Sequence, residues 1–145
     1  MKKPNDLQLL DNQLCFALYS ASLQMTKLYK PLLAGIGLTY PQYLVMMVLW
    51  EEDGITVGAL GERLFLDSGT LTPLLKRLEA AKLVKRMRNE ADERQVLIHL
   101  TDKGRALKKA AAGIPVQVAC AAGLPIDELV NIRKKLEKLR GKLAA

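Results

Sequence analysis

Apolar residues recur along this 145-residue chain with two periods, three-to-four and two, and the exchange of one for the other divides it into segments. Leu7, Leu10, Leu14, Leu18, Ala21, Met25 and Leu28 recur at steps of three or four, which predicts a helix over residues 7–30. Pro31, Gly35 and Gly37 are expected to end it. A second helix is expected after Pro41, carrying Tyr43, Leu44, Met47, Val48 and Trp50 and stopping at Asp53 and Gly54. Both are expected to be core helices.

The stretch TVGALGERLFLDSGTLTPLLKRLEAAKLV holds two short helical patterns, Val57, Leu60 and Leu64, then Leu71, Leu74, Leu75 and Leu78, with Phe65, Leu66 and Asp67 between them. That rhythm predicts a helix-turn-helix. The apolar stripe of its second helix leaves Ser68, Gly69, Thr70, Thr72, Pro73, Lys76 and Arg77 on other faces, and their hydroxyls and cationic heads suit base edges and phosphates. Asp67 or Ser68 can cap that helix, and Pro73 sits late for a first turn. The period then drops to two in the runs 83–88 and 95–100, which flank a polar tip at residues 89–94. A hairpin in that place is a wing, with Val96, Ile98 and Leu100 on one face and Leu97 and His99 on the other. Arg94 at the tip suits a narrow minor groove, and Asp92 is expected to steady it by pairing with a nearby arginine. Arg86 on the first wing strand is a further candidate DNA contact. Thr101 is expected to cap the helix that follows.

The period of three to four returns over residues 102–145. Pro115 should break this segment and Gly123, Leu124 and Pro125 divide it, leaving Leu129, Ile132, Leu136, Leu139 and Leu143 as a stripe beneath a basic outer face. Such terminal helices suit a symmetric dimer, whose paired recognition helices would read a pseudo-palindromic site. The expected fold is therefore mainly α with a small β wing, a single domain over 1–145. Residues of about 38–102 form the winged helix-turn-helix, and about 5–34 and 103–145 form dimerisation helices.

Charge sharpens this picture. A formal net charge of +7 makes an anionic partner the natural one, and nucleic acid fits better than a small acidic substrate. The longest apolar run, residues 43–50, falls far short of the roughly 18 residues of a membrane span, and Pro4, Asn5 and Asp6 stand where a signal sequence would have its apolar core. A cytoplasmic protein without membrane contact is expected. Two distant cysteines and one histidine leave too few soft ligands for a metal site, and no cofactor is expected.

The stretch FLDSGTLTPLLKRLEAAKLVKRMRNEADERQVLIHLTDKG, residues 65–104, resembles the winged-helix core of the MarR family of bacterial repressors, including the Asp-Glu-Arg wing tip and the strand that ends Leu-Thr-Asp-Lys-Gly. With LCFALYSA near the N-terminus, the chain is similar to the organic-hydroperoxide-resistance repressors, the OhrR type, in their two-cysteine version. The resemblance implies that Cys15 is a peroxide sensor, that Tyr29 and Tyr40 donate hydrogen bonds to its thiolate across the subunit boundary, and that Cys120 is the resolving cysteine of an intersubunit disulfide. Tyr19 reads as a packing residue.

The chemistry is intelligible in itself. A thiolate attacks the peroxide O–O bond, so hydroxyl donors in an apolar pocket favour the reactive form, and apolar walls favour bulky organic hydroperoxides. A second thiol can trap the sulfenic acid. Two alternatives remain open at the level of sequence. One is a regulator of the same fold that answers to a small non-oxidant ligand. The other is a thiol peroxidase, although no threonine or arginine constellation lies near Cys15 in the sequence and the winged helix would then be unexplained.

Overall fold

The computed structural model describes residues 6–144. In chain order the elements are α1 (Leu14–Ala34), α2 (Tyr40–Glu51), β1 (Ile55–Thr56), α3 (Val57–Leu64), α4 (Ser68–Ala80), β2 (Val84–Arg88), β3 (Val96–Leu100), α5 (Asp102–Ala111), α6 (Ile114–Ala122) and α7 (Ile126–Leu143). A 3-10 turn, Leu10–Asn12, precedes α1. Residues up to Ala112 form one compact unit and residues from Gly113 onward a second. The mainly α architecture with a small antiparallel sheet is the one expected from the sequence.

The core of the first unit lies beneath α2 and α4. Val45, Met46 and Leu49 of α2 and Leu71, Leu75 and Leu78 of α4 are sealed from solvent, along with Leu60 and Ile98. Continuous burial of α2 explains the apolar run that reads on no single face. Thr39 caps α2 reciprocally with Gln42, and Pro41 sits in its first turn, where a missing N–H costs no helical bond.

Helix α1 differs from expectation in extent and in burial. It starts at Leu14 rather than near residue 7, and it passes through Pro31 to end at Ala34. Pro31 stands in the last turn, so it removes a single ladder bond, and burial of Leu33 at 1% exposure holds the continuation in place. Only Leu33 of this helix is buried, whereas Leu14, Phe16, Tyr19, Leu23 and Met25 are exposed. The stripe expected to be core is therefore an open apolar face of this chain. Tyr19, read as packing, is 65% exposed and has no such role within the chain.

β3 is the middle strand of the sheet, in the order β1-β3-β2 with both pairings antiparallel. The two-residue β1, unforeseen from sequence, pairs Ile55 with Ile98, and Arg86 of β2 faces the same residue from the other side. The second unit breaks at Gly113 just before Pro115, in the first turn of α6, and again at Gly123, whose φ of 71° ends α6 in the left-handed region. Val116, Ile126, Ile132 and Leu136 are exposed there. Among the described residues no single helix is long and apolar enough to cross a membrane.

Candidate functional site

The turn between α3 and α4 is built on steric necessity. Phe65 closes α3 at φ 57°, and the chain doubles back so that the Leu66 N–H donates to the Gly61 carbonyl at 3.0 Å. A Cβ on Gly61 would lie 2.8 Å from the Leu66 carbonyl oxygen, so the sharp turn needs glycine at that position. Asp67 then caps α4, accepting from the Thr70 backbone N–H at 2.7 Å. The Thr70 hydroxyl and then its N–H, both donating to this carboxylate, hold Asp67 below the usual carboxyl range.

Leu71, Leu74, Leu75 and Leu78 bury one face of α4, while Ser68, Gly69, Thr70, Pro73, Lys76 and Arg77 are exposed and Thr72 is half-buried. The candidate DNA-reading residues of the second helix thus share its outward surface. Pro73 lies within α4 rather than at its start.

The wing tip is a structured turn. The Asn89 side chain donates to Gln95 Oε1 at 2.9 Å, and Arg88 Nη1 donates to the Glu93 carbonyl at 3.1 Å. Asp92 Oδ1 accepts from the Arg94 backbone N–H at 3.1 Å and faces Arg94 Nε at 3.4 Å, so the arginine paired with Asp92 is Arg94 itself. With its side chain 92% exposed, Arg94 projects from the tip. A cleft of about 410 Å³ lies between wing and recognition helix, lined by Thr72, Leu75, Arg86, Arg94 and Gln95 together with the start of α3.

Arg86 is engaged within the protein. Glu79 of α4 accepts from its backbone N–H at 3.1 Å, from Nε at 3.2 Å and from Nη2 at 3.1 Å. Those bonds pull the Glu79 carboxyl below its ordinary range. Sequence reading missed Glu79, because a carboxylate seven positions before its partner, across a helix-to-strand turn, has no periodic signature. Asp67 and Glu79 both support the folded state above a pH of about 4, the unperturbed carboxyl range, and lose that contribution as pH falls through their lowered values. Glu79→Ala is expected to weaken operator binding roughly fivefold with an unchanged salt dependence, because the wing loses its tie to the recognition helix while no phosphate contact is lost. Titration by fluorescence anisotropy at several salt concentrations checks this; tighter binding would instead mean that the freed Arg86 reaches a phosphate.

At the other end of the first unit, Tyr29 of α1 and Tyr40 of α2 meet edge to face with ring centroids 4.6 Å apart. Tyr43 stands 6.0 Å from Tyr29 and 6.2 Å from Trp50, which extends the cluster along α2. Burial raises the phenol pKa of Tyr29, Tyr40 and Tyr43, with the neighbouring phenols adding to the effect at Tyr29 and Tyr43. At neutral pH these hydroxyls are donors. Tyr43, expected from the sequence only as an apolar position of a core helix, shares a helix face with Tyr40 through their i, i+3 spacing.

Cys15 is exposed at the second position of α1, and Cys120 is exposed on α6. Fourteen residues of helix, about 21 Å of rise, separate Cys15 from Tyr29, so the thiol and the tyrosine pair of one chain are not neighbours. An open apolar pocket lies beside Tyr40, lined by Thr26, Lys30, Leu33, Leu38 and Pro41.

Comparison with known proteins places these features. A family model described as transcriptional regulator SarA/Rot matches residues 27–111. The chain is 55% identical over 139 residues to the organic hydroperoxide resistance transcriptional regulator of Bacillus subtilis strain 168, covering 96% of this chain and 95% of that one. It is 53% identical over 141 residues to the HTH-type transcriptional regulator TtmR of Methylorubrum extorquens strain PA1, covering 97% of this chain and 72% of the relative. Reduced AbfR bound to DNA superposes with a TM-score of 0.79 at 40% identity over 94% of this chain and 95% of that one. AbfR of Staphylococcus epidermidis in its disulfide form superposes with a TM-score of 0.69 at the same identity, covering 94% of this chain and 93% of that one. These relatives are DNA-binding transcriptional regulators, not enzymes.

Proposed function

This chain belongs to the MarR-type winged-helix transcriptional regulators, and from that premise we propose that it is a homodimeric repressor that releases operator DNA when organic hydroperoxides oxidise Cys15. The observation that carries the reading is the tyrosine pair. Two phenols are held protonated and edge to face, and Tyr29 of this pair sits about 21 Å along α1 from Cys15. The stretch between them bears the exposed Tyr19, Leu23 and Met25. A second copy crossing α1 about a two-fold axis near its middle covers that apolar face and brings each thiol to the other chain's tyrosines. Hydrogen bonds from the two hydroxyls favour the thiolate, the form that attacks peroxide.

In the chemical step the Cys15 thiolate takes the distal oxygen of the hydroperoxide, the O–O bond breaks, and the alkoxide leaves as the alcohol after taking a proton. Cys15 is then a sulfenic acid. The Cys120 thiol of the second copy displaces its hydroxyl as water and closes an intersubunit disulfide. Cα atoms must approach within about 4.4–6.8 Å for that bond, a constraint through which oxidation can reorient the DNA-binding parts. On the DNA side, exposure of Ser68, Thr70, Lys76 and Arg77 on α4 and of Arg94 at the wing tip supports major-groove and minor-groove contacts respectively. Gly69, Thr72 and Pro73 belong to the same helix surface, while Asp92 orients Arg94. A cytoplasmic location and a pseudo-palindromic operator belong to the same reading.

The test is fluorescence anisotropy of reduced protein on its upstream DNA, before and after one to two equivalents of cumene hydroperoxide. Wild type is expected to release DNA, whereas Cys15→Ser stays bound and forms no cross-linked dimer on a non-reducing gel. Cross-linking that survives Cys15→Ser would remove Cys15 from the mechanism. The pocket beside Tyr40 supports a second reading, a regulator that answers to a small apolar ligand. DNA release by a non-oxidant compound under reducing conditions selects it.

A further inference from the structure

Helix α2 joins two places that its sequence does not connect. Tyr40 at its N-terminus meets Tyr29, and a continuous line of rings runs along it, Tyr40 to Tyr43 at 6.5 Å and Tyr43 to Trp50 at 6.2 Å. At its far end, about 15 Å along the axis, two long-range hydrogen bonds grip the junction where β3 passes into α5. Trp50 Nε1 donates to the Gly104 carbonyl at 3.0 Å. Just past the helix, Asp53 Oδ1 accepts from the Leu100 N–H at 2.8 Å, and Asp53 Oδ2 lies 3.6 Å from Arg105 Nη1.

The gripped junction is stiff. Thr101 caps α5 through the Gly104 N–H at 3.0 Å, and its own hydroxyl donates to the Lys82 carbonyl at 2.6 Å. Leu100, the residue held by Asp53, ends the central strand of the wing, and the same sheet carries the turn with Arg94. Between the two ends, Val45, Met46 and Leu49 are fully enclosed, so α2 is packed along its length and a strain at one end is passed on rather than absorbed by local bending.

We propose that α2 is the lever that carries a displacement at the tyrosine pair to the base of the wing, with Trp50 and Asp53 as the positioning residues that fasten its far end. The proposal rests on the redox reading of that pair. Oxidation of Cys15 withdraws the anion that the tyrosine hydroxyls bond, the Tyr40 end of α2 shifts, and the Trp50–Gly104 and Asp53–Leu100 bonds turn the shift into a rotation of the hairpin. Trp50 and Asp53 contact the β3–α5 junction and are not among the residues proposed to meet peroxide or DNA. Their effect falls on the coupling between the two events, which is what distinguishes them from residues that only support the fold.

The experiment compares wild type with Trp50→Phe, which keeps an aromatic ring beside Tyr43 but removes the donor, and with Asp53→Ala, which removes the acceptor for the Leu100 N–H and the charge facing Arg105. Operator Kd is measured for reduced protein and for protein oxidised by cumene hydroperoxide, and intact mass confirms equal oxidation of Cys15. Trp50→Phe is expected to bind DNA in the reduced state within about threefold of wild type, while its oxidised-to-reduced Kd ratio falls about tenfold. A ratio equal to that of wild type in a folded Trp50→Phe protein overturns the lever. If Trp50→Phe does not fold, Asp53→Ala carries the same expectation and the same refutation. A wild-type ratio of one overturns the redox reading and the lever with it, so the two failures are distinguishable.

Discussion

Gly104→Ala is expected to melt about 10 °C below wild type, a loss of roughly 3 kcal/mol at about 3 °C per kcal/mol for a chain of this size. A Cβ built on Gly104 would lie 2.2 Å from the Leu83 carbonyl oxygen and 3.2 Å from Leu100 Cδ2. The first contact decides the sign, since a backbone carbonyl cannot swing away as the end of a flexible side chain can. That oxygen also accepts from the Thr101 N–H at 3.1 Å, so moving it strains the start of α5 and the start of β2 together. Helix propensity works in the opposite direction, because alanine is favoured over glycine in α5 by about 1 kcal/mol. A steric cost of about 4 kcal/mol outweighs it and leaves the net loss of about 3 kcal/mol. Gly141→Ala in α7, where nothing stands within 4 Å of the new Cβ, is the matched control and should leave the melting temperature unchanged or slightly raised. Circular dichroism melts at one fixed protein concentration make the comparison, since a dimer's transition moves with concentration. A Gly104→Ala protein melting within 2 °C or so of wild type would show that the close approach relaxes at little cost.

The double variant Lys76→Ala, Arg94→Ala is expected to bind operator about 100-fold more weakly at physiological salt, with the two halves of the loss separable by their dependence on sequence and salt. Lys76 is exposed on α4 beside the residues placed to read bases, where a flexible ammonium acts as a point charge toward phosphate. Its removal should weaken binding to every duplex and reduce the slope of log Kd against log salt by about one phosphate's worth per subunit. Arg94 is paired with Asp92 at the end of a structured turn, so entry into a groove, as proposed, would need little further ordering. Its removal should matter chiefly where A·T-rich flanks narrow the minor groove, and the difference should vanish on G·C-rich flanks. Anisotropy titrations on two operators differing only in their flanks separate the contributions. Unchanged affinity for both single variants would mean that neither α4 nor the wing tip faces the duplex.

Much of the fold was legible because its causes are local. Thr39, Thr56, Asp67 and Thr101 are short polar residues placed where a helix begins, and each accepts from a backbone N–H near its helix start. The period of two over residues 95–100 marked β3 because its neighbours bury Ile98 and Leu100. Chain length past a proline was less legible. At Pro31 the sequence signals a stop, yet one missing bond in a last turn is outweighed by burial of Leu33, a tertiary effect. β1 escaped notice for the same reason, since two residues carry no period and become a strand only through pairing with β3.

The candidate site divides along the same line. The exposed residues of α4 follow from the apolar stripe opposite them, and the exposure of Arg94 from its place at a hairpin tip, so the surface proposed to face DNA could be read from the sequence. Arg86, read from sequence as a further candidate DNA contact, is bonded to Glu79 only through the packing of α4 against β2. The sequence by itself determined most of the helices and the wing hairpin, the caps at Asp67 and Thr101, the winged helix-turn-helix and the positions of Cys15 and Cys120, because helical period, turn chemistry and charge act between residues close in the chain. Tertiary structure alone decided that Tyr29 meets Tyr40, that Trp50 and Asp53 hold the β3–α5 junction, and that the apolar face of α1 stays open. Those outcomes depend on which distant surfaces are brought into contact, and no residue's local pattern contains that information.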